Sequence, residues 1–352
     1  MPVAIEPEID VSFVHGFHDH VAVDINDEHP ALWSLTPDGE ETHSYHFPFT
    51  PSDFESLPYP LLGEMPRTKN ELKRRPRYGF TGLAKLKDRL LAGSWNGIYS
   101  LNSSTKKVES FLSNRYSCYM HRFCADEQRI IFAMPFMDMV VIMSHAGEII
   151  DRFMIDQSLR ILRDIPDDEI DWRFADKPWS GPTGLFHINH VQTIGQDIYL
   201  TSRNLGALIV IRPGEDHASL RTLNYKTPTC VHDGDFVDGK FYLTSIDGKI
   251  LVASKPQGFD PKLFRYDLQV ECIRLDEVEN NWCRGIEVTS KYIYTTIDGR
   301  YDSDLSFGLL KLDREYKLID QHRFKWSNVG NVDDIRYVTG FDIVAQDHAN
   351  AP

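Results

Sequence analysis

A few short segments of this 352-residue chain carry the residue types from which acid–base and ligand-binding chemistry is assembled: His121-Arg122, Asn189-His190, His232-Asp233, Arg284 and Asp333-Asp334. An imidazole titrates near neutrality and can both take and give a proton. His190 and His232 are therefore the expected catalytic acid and base, with Asp233 or Asp235 placed to orient one ring. A guanidinium holds carboxylate, sulfate or phosphate through paired hydrogen bonds. Arg284 is expected in the catalytic set for that reason, and Arg122, with His121 and Asn189, in the substrate-binding set. The oxygen donors Asp233, Asn189, Asp333 and Asp334 suit a hard divalent cation, Ca²⁺ or Mg²⁺. The histidines would suit a transition metal. Beyond such an ion no cofactor is expected. The chain has no H-E-x-x-H, P-loop or Rossmann fingerprint, which removes zincin, nucleotide-hydrolase and dinucleotide readings.

These segments lie far apart in sequence, so something must bring them together, and a repeat does so. Each pair precedes a short apolar segment, a turn and a β-rich run. Asn189-His190 leads to Asp197–Ser202, His232-Asp233 to Lys240–Ser245, Arg284-Gly285 to Lys291–Thr296, and Thr81-Gly82 to Arg89–Ser94. Strand-only repeats of about 40–50 residues predict an all-β fold, a β-propeller. In a propeller the inner strand of each blade lines a central channel. The lining set is then Thr81, His121 with Arg122, Asn189 with His190, His232 with Asp233, Arg284, and Asp333 with Asp334.

Six blades account for the register, with seven as the alternative. The N-terminal strands, around Asp10–Val14, His20–Asp24 and Ala31–Leu35, would complete a last blade begun by the C-terminus, with Phe341–Ala345 in its second strand. Both termini then close the ring and remove exposed edges. Asn96-Gly97, Asp238-Gly239, Asp247-Gly248 and Asp298-Gly299 read as hairpin turns.

The chain reads as a single domain, 1–352, with insertions at about 39–78 and 151–185. In the second insertion, residues 155–164 are expected to form a short helix, and Trp172 and Trp179 to wall the substrate site as part of a lid. The basic stretch Lys69–Arg77 reads as a solvated surface. His15, His18 and His20 read as surface histidines between strands of the closing blade, away from the axis.

A net charge of −14 disfavours nucleic acid and anionic membrane as partners. No apolar run is long enough for a transmembrane helix, and the N-terminus lacks a basic-then-apolar leader, so a cytoplasmic location is expected. Cys118, Cys124, Cys230, Cys272 and Cys283 are odd in number and without C-x-x-C spacing, which reads as buried small residues rather than disulfides or a zinc site. Composition does not set the oligomeric state.

His187-Ile-Asn-His-Val191, followed by Tyr199–Leu205, resembles a blade of arylsulfotransferase-type propellers. That resemblance implies sulfuryl transfer by channel histidines and arginine. The overall pattern is also similar to the gluconolactonase and senescence-marker group, which implies six blades and a divalent ion, with Asn189 and Asp233 matching the Asn and Asp ligand positions. No Glu matches the third. Streptogramin lyase-like propellers, with a channel His and Mg²⁺, are similar as well. The expected function is thus a lyase, hydrolase or transferase acting on a small polar or anionic molecule in the central channel. The alternative is a non-catalytic propeller that binds partners or acts as a scaffold.

Overall fold

A computed structural model describes residues 8–17, 30–35, 41–46, 78–94, 97–112, 116, 120–135, 137–163, 165, 185–224, 230–255, 265–275, 282–298, 307–324 and 335–346. The described residues are all strand, turn or irregular, so none forms a helix able to cross a membrane. The strands group into antiparallel meanders in chain order. One runs Gly82–Lys85, Arg89–Ser94, Gly97–Asn102, Val108–Leu112, and the next Cys124–Ala125, Arg129–Met134, Met139–Ser144, Ile149–Ile155. Ile188–Ile194 to Ser219–Asn224 and Val231–Val237 to Arg265–Arg274 follow, and then Trp282–Val288 to Leu318–Phe324.

The first strand of each meander packs against the first strand of the next. Ile335–Gln346 packs against both Trp282–Val288 and Gly82–Lys85, which closes the circle. The chain is an all-β propeller. Its last sheet is shared by the two termini, with Ile335–Gln346 paired along Glu8–Phe17 from Phe17↔Ile335 to Glu8↔Gln346.

Burial explains the sequence pattern. The middle strands are covered on both faces by neighbouring sheets, so they read as apolar runs rather than alternating ones. Ile130–Met134, Met139–Met143 and Ala207–Ile211 are buried throughout. The core is a series of interfaces between sheets. Ile131, Val140 and Phe153 of one sheet pack with Val191, Leu200 and Ile209 of the next. The outer strand Val108–Leu112 is largely exposed by contrast. At the hairpin Asp238-Gly239 both residues have positive φ, 53° and 77°, as a type I′ turn requires.

Some expectations are corrected. Of the residues expected to form a helix, 155–163 are described and form none. Asp156 Oδ1 accepts the main-chain N–H groups of Ser158 and Arg160, turning the chain into the short strand Ile161–Leu162. Asp151–Ile155 belongs to the outer strand Ile149–Ile155, so that insertion begins later than read from sequence. Phe341–Ala345 is not a second strand but part of the single twelve-residue strand Ile335–Gln346. His15 lies within Glu8–Phe17, opposite Val338, rather than between strands. Glu41–His46 and Tyr78–Gly79, at the ends of the other insertion, join the last sheet. His18, His20, the strand read at 20–24, Lys69–Arg77, Trp172, Trp179, Asp333 and Asp334 lie outside the described residues. Nothing in the sequence signals that Ser219–Asn224 pairs in parallel with Arg265–Arg274, which fuses two meanders into one eight-stranded sheet.

Candidate active site

The inner strands share one irregularity, and it sets the site. The pairing of Ile188–Ile194 with Asp197–Ser202 shifts register between Ile188 and His190. The same shift falls between Val231 and Gly234, and between Cys283 and Ile286. These bulges leave two inner-strand residues facing one partner, which re-aims side chains. Counted from the pairings, Thr81, His121, Asn189, His232 and Arg284 occupy one level of the ring. Gly82, Arg122, His190, Asp233 and Gly285 occupy the next. The paired residues thus converge, but His190 is level with Asp233 rather than with His232. The two imidazoles are one position apart in the repeat, not equivalent as expected.

Threonines fasten the bulges. Thr201 Oγ1 accepts His190 N–H at 3.1 Å and donates to the His232 carbonyl of the next inner strand at 2.6 Å. Thr244 does the same one sheet on, accepting Asp233 N–H at 3.1 Å and donating to the Arg284 carbonyl. The Leu-Thr-Ser endings of the second strands are the sequence signal of this device. Gly82 is required where inner strands meet, since a Cβ there would lie 2.5 Å from the His121 carbonyl oxygen.

The first level holds the chemistry. His232 Nδ1 lies 2.9 Å from Asp233 Oδ2, and His232 Nε2 lies 3.4 Å from Arg284 Nη1. The His121 ring sits 5.4 Å from that of His232, centroid to centroid, although a sheet separates their strands. His232, Asp233 and Arg284 are 4%, 0% and 7% exposed. Burial pushes the Asp233 carboxyl up to about 7, outweighing the opposing pull of the Arg122 and Arg284 guanidiniums. Burial, then the Arg122 charge, holds His190 well below the ordinary imidazole value, so it is neutral. Unpartnered polar atoms gather here among the described residues: both amide atoms of Asn189, both ring nitrogens of His190, and Asp233 Oδ1. His190 borders a small recess between two meanders with Gln192, Gly234, Asp235 and Leu243.

Arg122 has a different place from the one expected. It reaches over the axis to the Ile286 carbonyl, and its Nη2 lies 2.9 Å from Glu287 Oε2. Its guanidinium is already engaged by a carboxylate, so an anion would have to displace Glu287. Sequence reasoning missed Glu287, although it shares with Gln192 and Asp235 the second place after each polar pair. Those two are linked, Gln192 Nε2 donating to Asp235 Oδ1 at 3.3 Å. Asp235 does not orient an imidazole; its Oδ2 accepts Val288 N–H at 2.9 Å.

For a divalent ion, the described donors are Asn189 and the second oxygen of Asp233. Two guanidiniums near that carboxylate oppose a dication. Among the described residues no group of three or more His, Cys, Asp or Glu is placed to hold a metal. The described part of the expected ligand set therefore does not fit an ion by itself.

No protein-family model matches the chain, and no curated sequence does. Solved structures do match. One is the nidogen–laminin complex, at 9% identity and TM-score 0.52, covering 96% of this chain and 98% of that one. A 6-phosphogluconolactonase-like protein from Bacteroides uniformis is 12% identical, with TM-score 0.49 over 91% of this chain and 82% of its own. The Cps50 (Swd1) β-propeller domain of Myceliophteria thermophila is 10% identical, with TM-score 0.46 over 82% of each. Likeness at this distance concerns the fold alone.

Proposed function

We propose that the chain is a six-bladed propeller enzyme in which His232 acts as general base on a small anionic or polyoxygenated substrate. The supporting observation is the His232–Asp233–Arg284 arrangement. Asp233 holds Nδ1, so the lone pair of Nε2 faces the guanidinium that would bind an anionic group. A substrate oxygen seated on Arg284 would stand beside the base that takes its proton. Asp233 fixes the tautomer and stabilises the imidazolium that forms. Such proton transfer serves a lyase, a hydrolase or a transferase alike. The unpartnered Asn189 amide offers one donor and one acceptor to the neutral part of the substrate.

Thermal-shift screening with small carboxylates, phosphates, sulfates and lactones, followed by turnover assays on binders, tests this reading. A binder should lose its stabilising effect in Arg284→Ala, and folded His232→Ala should lose at least about 10²-fold in turnover. Binding that survives Arg284→Ala, or turnover that survives His232→Ala, would sink it. Elemental analysis of chelator-free protein tests the divalent ion.

The Arg122–Glu287 pair favours a second reading. It spans the axis among residues that are nearly all buried, as a brace in a non-catalytic binding propeller would. Normal partner capture by a His232→Ala, Arg284→Ala double variant would support that reading.

A further inference from the structure

His121 and His187 fall outside the three-residue arrangement above, yet they continue it outward. The ring centroids of His232 and His121 are 5.4 Å apart, and those of His121 and His187 are 6.3 Å apart. His232 is the most buried of the three. His232 is 4% exposed, whereas His121 and His187 are half-buried. Such spacings place successive rings within reach of one bridging water.

His187 is also held in an unfavourable backbone conformation, with φ of 51°. A left-handed non-glycine residue persists only where its surroundings over-determine it. Here they do. Asp138 Oδ2 accepts the N–H of Phe186 at 2.8 Å, Ser202 Oγ donates to the Phe186 carbonyl at 2.7 Å, and Arg203 N–H donates to the His187 carbonyl at 3.1 Å. Glycine would adopt this conformation without strain. The strained histidine directs its ring toward His121.

We propose that His187 and His121 carry protons between the mouth of the ring and the buried His232–Asp233 pair. The inference rests on the proposed role of His232 as base. After taking a substrate proton, His232 passes one to His121, His121 passes one to His187, and His187 releases one to water. One proton enters and one leaves, with no change in oxidation state. Asp233, Arg284 and His121 are among the groups that face His232, with the neutral His190 nearby, and His232 and His187 are among those that face His121. The fixed charge of Arg284 beside Nε2 favours outward transfer.

The test is the exchange of the His232 ring N–H with water, measured by ¹⁵N NMR on the ligand-free protein. His121→Phe and His187→Gly should each slow exchange at least about tenfold, a modest share of what a positioned proton carrier contributes. His187→Gly relieves backbone strain, so it should fold even if His121→Phe does not. Free imidazole should restore exchange in His187→Gly, which a purely structural role would not produce. Unchanged exchange in folded His187→Gly, or no rescue by imidazole, overturns the relay. If exchange is unchanged while His232→Ala still abolishes turnover, the relay falls and the base assignment stands.

Discussion

Asp233 gives the most quantitative handle on the site. Replacing it with Asn keeps the shape and an acceptor for His232 Nδ1 but removes the titration. In the folded protein the carboxyl is raised from 3.8 to about 7. The folded state therefore binds this proton more tightly than the unfolded state. Its contribution to stability is fully present below about 3.8 and is lost as pH rises through about 7. The total loss above that range is on the order of 4 kcal/mol, because a tenfold difference in proton affinity is worth about 1.36 kcal/mol. Between about pH 5 and about pH 8 the stability of wild type should fall by an amount on the order of 2–3 kcal/mol. His190 is displaced the opposite way, so it weakens the fold as pH falls below 6.5. That effect is common to both proteins and cancels in their difference. Urea unfolding of wild type and Asp233→Asn at the two pH values reads the difference directly. Asp233→Asn should gain on the order of 2–3 kcal/mol on wild type between them. A pH-independent difference, or one of opposite sign, would refute the claim that burial outweighs the two arginines.

Two further perturbations test the framework around the site. Arg122→Ala leaves Glu287 and the Ile286 carbonyl without their donor, and breaking such a pair should cost about 3 kcal/mol, whereas an Arg122→Met, Glu287→Gln double variant should recover part of it; thermal unfolding of all the variants measures this. Thr201→Val and Thr244→Val each strand one inner-strand N–H and one carbonyl, so each should destabilise by about 1–3 kcal/mol while Thr→Ser at the same sites stays near wild type, again read by unfolding.

The fold was legible because each repeat states its geometry locally. Apolar middle strands and a polar pair at a fixed offset recur along the meanders, Asp-Gly turns punctuate some of them, and the pairing of the two end strands matches an incomplete last copy. The parallel seam between Ser219–Asn224 and Arg265–Arg274 left no such trace. Pairing of two edge strands depends on how far the outer strand leans toward its neighbour, which no local pattern encodes. The helix expected at 155–164 failed for a local reason: the Asp156 side chain satisfies two main-chain donors and makes a turn there.

The site was half legible for a related reason. The offset named the residues that meet, and three inner strands share a bulge at the polar pair, so first members share one level and second members the next. An extra residue on one strand shifts every later side chain by one place. His190 is the second member of its pair and His232 the first, so His190 shares its level with Asp233 while His232 shares its level with Arg284. That one-residue difference separates a neutral imidazole beside a recess between two meanders from one held by a carboxylate and facing a guanidinium. It also explains why Arg122 braces the ring rather than clamping a ligand. Arg122 stands on the second level, where Glu287 of a distant sheet comes within reach. Arg284, on the first level, is set beside His232 instead. The two arginines thus divide the work that the sequence assigned to them jointly, one holding the ring and one facing the ligand.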